Sequence, residues 1–232
     1  MLVASYLHYQ QGYNIGIVDC DSPQHSVMEL RELEAKRISD DPFFNRMACL
    51  QFEQSGKRAY PVETCQPEDA VTCAQTMIQE YEQPFDMIFF DMPGTVNKPS
   101  IIVTLSAMDY IFFPISAEVL VLKSTIAFAQ VFDEFVRAGQ TRVRELSMIW
   151  NWVDAREKTD LYEQYDKLIR SMGLKILTTT LPDTKKLRKE ISERNKIVFR
   201  STLFPADGQL AKSTKLNVLV EELLTIIYPT NE

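Results

Sequence analysis

Apolar positions along the chain follow two periods, and the alternation between them predicts the elements. Residues 2–11 carry Leu2, Val3, Tyr6 and Leu7 at helical spacing, and Gly12 is a natural stop. Residues 14–19 form a short apolar run that reads as a buried strand ending on Asp19. Ser26 followed by Glu29 matches a capping box, which opens a helix to about residue 38. Asp40-Asp41-Pro42 breaks that helix, residues 43–56 stay ambiguous, and 58–62 suit a strand. Pro67-Glu68-Asp69 opens a helix through Tyr81. Strands then fall at 85–91, 109–114, 146–151 and 174–179. Helices fall between them at 99–107, 116–138 and from about 158 to 172. A basic helix is expected from 184 to about 193. A last amphipathic helix is expected from 207 to about 227, with Leu210, Leu216, Val218, Leu219, Leu223 and Ile227 facing the core. Strands alternating with helices predict an α/β fold, a mostly parallel open sheet with helices on both faces. No repeat or low-complexity linker interrupts residues 1–232, so one domain is expected.

Composition narrows this picture only slightly. Hydrophobic residues make up 45% of 232 and aromatics 10%, enough for a sizeable core. The net charge of −7 argues against a chain devoted to nucleic acid but leaves room for one basic face. The four cysteines show neither a C-x-x-C pair nor zinc spacing, and no signal peptide is expected. They read as reduced thiols of a cytoplasmic protein. The longest apolar runs, such as those at 111–113 and 119–122, are too short to span a bilayer.

The chemistry concentrates at two strand ends. Asp19-Cys20-Asp21-Ser22-Pro23-Gln24 follows the first strand, and Asp91-Met92-Pro93-Gly94 follows the strand at 85–91. Ligands of open α/β sheets bind beyond the carboxyl ends of the strands. Carboxylates there hold Mg²⁺ through oxygen or bound water and orient a water for attack on a phosphate. The plain structural alternative is that such residues form turns, or that the next helix accepts an acid at its start. For either aspartate alone that alternative is favoured.

Taken together, the residues resemble the ParA/MinD/Soj deviant Walker P-loop ATPases. The resemblance rests on Gly12, residues 17–24 and the order Phe85-Asp86-x-Ile88-x-x-Asp91-x-Pro93. It continues through the strand at 108–115, Met148-Ile149-Trp150-Asn151 with Arg156, and Thr180-Leu181-Pro182-Asp183 with Leu187 and Arg188. Ser22 departs from the commoner D-x-D-P-Q and looks closer to ParA-like proteins of conjugative elements. The resemblance implies that Asp91 is the Walker B carboxylate reaching Mg²⁺ through water. Asp19 would lie near the metal, and Asp21 would place or activate the hydrolytic water. Asn151 would contact the adenine edge of ATP, with Pro182 and Asp183 flanking the base. It also implies an ATP-dependent homodimer, non-specific DNA binding, and a ParB-like or conjugation-machinery partner.

One part of that pattern is missing. The family's phosphate cradle is K-G-G-x-G-K-T-T, whose glycines bare backbone N–H groups and whose lysines neutralise charge. None of the seven glycines builds a G-x-x-x-x-G-K-[ST]. The expectation is therefore an N-terminally truncated form, lacking the first strand and the loop, with a gap left in the sheet and with little ATP binding or hydrolysis. The basic stretch Lys185, Lys186, Arg188, Lys189, Arg194, Lys196 and Arg200 reads either as a solvated helix face or as a DNA phosphate contact. The leading function is a ParA-like ATPase of DNA partition or conjugative transfer. Its alternatives are a catalytically dead interaction module of the same fold and a haloacid-dehalogenase-type phosphatase. The last is disfavoured because Pro23 stands where that chemistry wants Thr or Val.

Overall fold

A computed structural model describes residues 1–94, 98–154, 156, 159–192 and 196–229. Contacts divide the chain into two compact units. The first is Met1–Ser100 with Lys186–Leu210, and the second is Ile101–Lys185 with Ala211–Glu232.

The first unit is built on a three-stranded parallel sheet in the order β2-β1-β3, made of β1 (Ile15–Asp19), β2 (Val62–Thr64) and β3 (Met87–Asp91). Every residue of β1 is buried, as a central strand requires. Each fully buried Ile or Val there contributes about 1.5–3 kcal/mol relative to exposure. Gly16 has a packing reason: a Cβ would sit 2.9 Å from Met77 Cε and 3.1 Å from the Phe85 ring. Its absence lets α4 (Ala70–Glu80) close on the strand, where Val18, Cys20, Ala70, Ala74 and Met77 form one cluster. Around the sheet lie α1 (Leu2–Tyr9), α2 (Ser26–Asp40) and α3 (Pro42–Ser55). Gly12, at φ 80°, turns the chain from α1 towards β1. The ambiguous stretch is thus helix α3. Pro42 sits in its first turn, Asp41 accepts the Phe43 amide at 2.9 Å, and Gly56 ends it in the left-handed region.

Residues of the chain's later part complete this unit. Ser201, Thr202, Leu203 and Phe204 are buried. Glu34 Oε2 accepts from the Thr202 amide at 2.8 Å and from its hydroxyl at 2.5 Å. Arg31 donates to Thr202 Oγ1 and to the Tyr60 carbonyl, and Ser5 donates to the Ser201 carbonyl. Burial raises the Glu34 carboxyl above its ordinary range, although the Ser201 and Thr202 donors pull the other way.

The second unit repeats the architecture. β4 (Tyr110–Ile115), β5 (Glu145–Trp150) and β6 (Lys175–Ile176) form a parallel sheet in the order β4-β5-β6. Pro114 lies within β4, which a proline tolerates because that strand carries a ladder on one side only. Its helices are α5 (Pro99–Ser106), α6 (Val119–Arg137) and α7 (Thr159–Ser171). Trp150 is buried edge-on to Tyr162 and donates its indole N–H to Asp166 at 2.6 Å.

The expected elements exist in the expected order, with local corrections. The strand placed at 58–62 runs instead over β2. The basic helix at 184–193 is one turn, α8 (Lys185–Arg188), followed by an antiparallel hairpin of β7 (Ile191–Ser192) and β8 (Ile197–Val198). Its ladder extends through Phe199 N to Glu190 O and Arg200 N to Lys189 O, which demands extended backbone where a helix was expected. β-branched Ile197 and Val198 suit that conformation. Arg194 and Lys158 lie outside the described residues. The last helix is two, α9 (Gly208–Ser213) and α10 (Leu216–Ile227), separated by Lys215 at φ 59°. That break rotates the face, so Val218 is 45% exposed while Leu210, Leu216, Leu219 and Leu223 are buried. The sheet is also two three-stranded sheets, with β3 and β4 each an end strand.

Candidate functional site

The candidate residues fall into two groups, one in each unit. In the first unit, Asp19 and Asp91 are register partners at the ends of the adjacent strands β1 and β3. The Cys20 amide donates to the Asp91 carbonyl at 2.9 Å, which holds the two strand ends together. The two carboxyls nonetheless have different surroundings. Asp19 is fully buried. Its Oδ2 accepts from the Val27 and Met28 amides at 2.9 and 3.1 Å, and its Oδ1 accepts from the Asp21 amide at 3.2 Å. His25, in the left-handed region at φ 43°, places Nδ1 3.1 Å from the Asp19 carbonyl and 3.7 Å from Oδ1.

Asp19 therefore satisfies the orphan amides at the start of α2. Ser26 does not cap that helix as the capping-box spacing predicted, because the carboxylate from β1 already occupies the position. Long-range capping of this kind leaves no local sequence signal.

Asp91 retains exposed surface at the end of β3. Its carboxyl is pushed above the usual range, first by the protein that displaces water around it. The Met1 amino group opposes this, and the charges of Asp19 and Asp21 reinforce it. Asp21 is half-buried in the turn that follows β1, where its carbonyl accepts the His25 amide at 2.8 Å. The structure thus brings Asp19, Asp21 and Asp91 together. Among the described residues, no group of three or more His, Cys, Asp or Glu side chains is arranged to hold a metal ion. The donor set suits Mg²⁺ only in part: Asp91 is open to a water-mediated contact, whereas both Asp19 oxygens are already taken by amides.

In the second unit, Asn151 lies one residue beyond β5, and its amide donates to the Ile115 carbonyl at 2.8 Å. Its Oδ1 accepts the Trp152 amide at 3.0 Å, which holds Trp152 at φ 56° with the residue 54% exposed. Val153 bridges to Pro182, and the Asp183 amide donates to the Val153 carbonyl at 2.8 Å. The structure therefore brings Asn151, Pro182 and Asp183 into one group. Trp152, a bulky residue in the left-handed region beside that group, gave no signal in the sequence.

The basic residues are dispersed. Lys185, Lys186, Arg188 and Lys189 are exposed on and after α8. Lys196 ion-pairs with Asp41 and lies 4.9 Å over the Phe44 ring, and Arg200 pairs with Glu190 at 3.0 Å. The last two are engaged with neighbours rather than presented as a continuous cationic face. Among the described residues, no helix is long and apolar enough to cross a membrane.

Two three-stranded parallel sheets flanked by helices make an α/β fold, and comparison with solved structures shows it to be ParA/MinD-like. The chain is similar to the MinD cell division protein of Aquifex aeolicus, with TM-score 0.55 and 13% identity over 99% of this chain and 91% of that one. It is similar to apo McdA of Cyanthece, with TM-score 0.53 and 14% identity over 97% and 92% of the two chains. A partition protein matches with TM-score 0.50 and 12% identity over 94% of this chain and 64% of its own length. No protein-family model and no curated protein matches the sequence.

Proposed function

We propose that the chain is a ParA-like protein of DNA partition or conjugative transfer, acting in the cytoplasm as one ParA/MinD-like domain over residues 1–232. The observation that carries this reading is Asp91. It ends β3 with exposed surface, its carboxyl partly desolvated, in register with Asp19 and beside Asp21, within a fold shared with MinD, McdA and a partition protein. Asp91 would hold Mg²⁺ and Asp21 would orient the attacking water. Asp19 acts from beneath by fixing the turn that carries Asp21. Asn151, Pro182 and Asp183 supply the adenine-facing group. When bound, Mg-ATP supplies the phosphoanhydride and the charge that joins two copies of the chain.

The residues present lack a glycine-rich phosphate cradle and its lysines, so this stretch alone binds Mg-ATP poorly. That absence favours a second reading, an interaction module that keeps the fold without turnover. Adding an N-terminal strand and K-G-G-x-G-K-T-T loop separates the two. The first reading predicts ATP hydrolysis that Asp91→Asn abolishes, and salt-sensitive binding to random duplex DNA in the presence of ATP. A folded, loop-bearing chain with neither activity leaves the interaction module. The phosphatase reading loses its nucleophile, because Asp19 is buried against three amides.

A further inference from the structure

Three of the four cysteines meet at the ends of β1 and β2. Asp19 and Thr64 are register partners, so Cys20 and Cys65 are the next pair along the two parallel strands. The Cys65 amide continues the ladder by donating to the Asp19 carbonyl at 3.2 Å. Neighbouring strands run about 4.8 Å apart, inside the roughly 4.4–6.8 Å Cα range a disulfide accepts. The two Sγ atoms are 3.7 Å apart, in van der Waals contact. Cys20 is fully buried, Cys65 and Cys73 are half-buried, and burial raises the Cys65 thiol above its ordinary range. Cys49, on α3, is exposed and apart from this cluster.

We propose that Cys20 and Cys65 are a reversible oxidation site, taking small disulfides of the glutathione class as oxidant. The half-exposed Cys65 is the entry point. Its thiolate attacks one sulfur of the oxidant; the oxidant's S–S bond breaks, and one thiol leaves with the proton Cys65 gave up. Cys20 then loses its proton and attacks Cys65 Sγ, and the mixed disulfide breaks to release the second thiol. Two electrons pass from the protein to the oxidant, and one internal bond replaces two S–H groups. The bond ties the ends of β1 and β2 and fixes the start of the turn that carries Asp21. Cytosolic disulfides of this kind are transient and regulatory rather than structural. The inference does not depend on ATP chemistry.

The test is incubation of the folded chain with oxidised glutathione, alkylation of remaining thiols, and peptide mapping by mass spectrometry. The expected product has one Cys20–Cys65 bond, alkylated Cys49 and Cys73, and full reversal by dithiothreitol. Cys73→Ser leaves the bond intact, and Cys65→Ser abolishes it. Because Cys20→Ser touches a buried site, parent protein in urea serves as the second control and gives mixed pairings. A Cys65–Cys73 bond, a stable glutathione adduct without an internal bond, four alkylatable thiols after treatment, or mixed pairings in the folded chain would each overturn the proposal.

Discussion

The sheets of the two units share a plan and differ in what they do with the residue at each strand end. In both, the middle strand is almost wholly buried and ends on a polar side chain drawn into the backbone. Asp19 accepts three amides after β1, and Asn151 accepts the Trp152 amide after β5. The groups beyond the end strands are more open: Asp91 follows β3 and Asp183 follows β6, and both are exposed. A central strand delivers its terminal residue beneath the next helix or turn, where orphan amides capture it. An end strand delivers its residue to solvent, where it remains available for ligand. Position in the sheet therefore separates a strand-end carboxylate held by backbone amides from one left at the surface.

Among substitutions at these strand ends, Asp19 carries the greatest expected cost. Asp19→Ala leaves three amides without their acceptor in a buried place and should cost about 2–4 kcal/mol in urea unfolding. A cost no larger than a surface substitution would remove the capping account. Glu34→Gln should act through pH. Burial raises the Glu34 pKa above the ordinary value of 4.5, so its favourable contribution is present below that value and lost as pH rises through the folded pKa. The glutamine variant should flatten that decline, gaining about 1 kcal/mol on the parent towards neutral pH. Parallel pH profiles would contradict it. Asn151→Ala, which removes one half-exposed bond, should cost about 0.5–1 kcal/mol in the same unfolding assay. Asp91→Asn should lie within about 0.5 kcal/mol of the parent, the range of an ordinary surface change. A large loss there would show that Asp91, too, is structural.

The sequence made the α/β alternation legible because the apolar runs are short, separated and bounded by Gly, Pro and Asp. Strand ends singled out Asp19, Asp21 and Asp91, whereas Asn151, Pro182 and Asp183 came only through the family resemblance. The sequence could not distinguish Asp19 from Asp91, because the Val27 and Met28 amides reach Asp19 across a turn whose backbone no periodicity encodes. The capping-box spacing at Ser26 pointed to the wrong cap for the same reason. The basic stretch misled because charge periodicity suits a helix, whereas the backbone pairing of residues 189–192 with 197–200 makes a hairpin. The thiol contact was hidden as well: Cys20 and Cys65 are 45 positions apart and meet only through strand register.

The proposed function rests on strand-end carboxylates in a sequence that has no glycine-rich phosphate cradle. Calorimetric titration of the 232-residue chain with Mg-ATP tests it most directly. No saturable binding in the micromolar range is expected, since neither glycine-loop amides nor loop lysines are present to hold the phosphates. Micromolar affinity would contradict it.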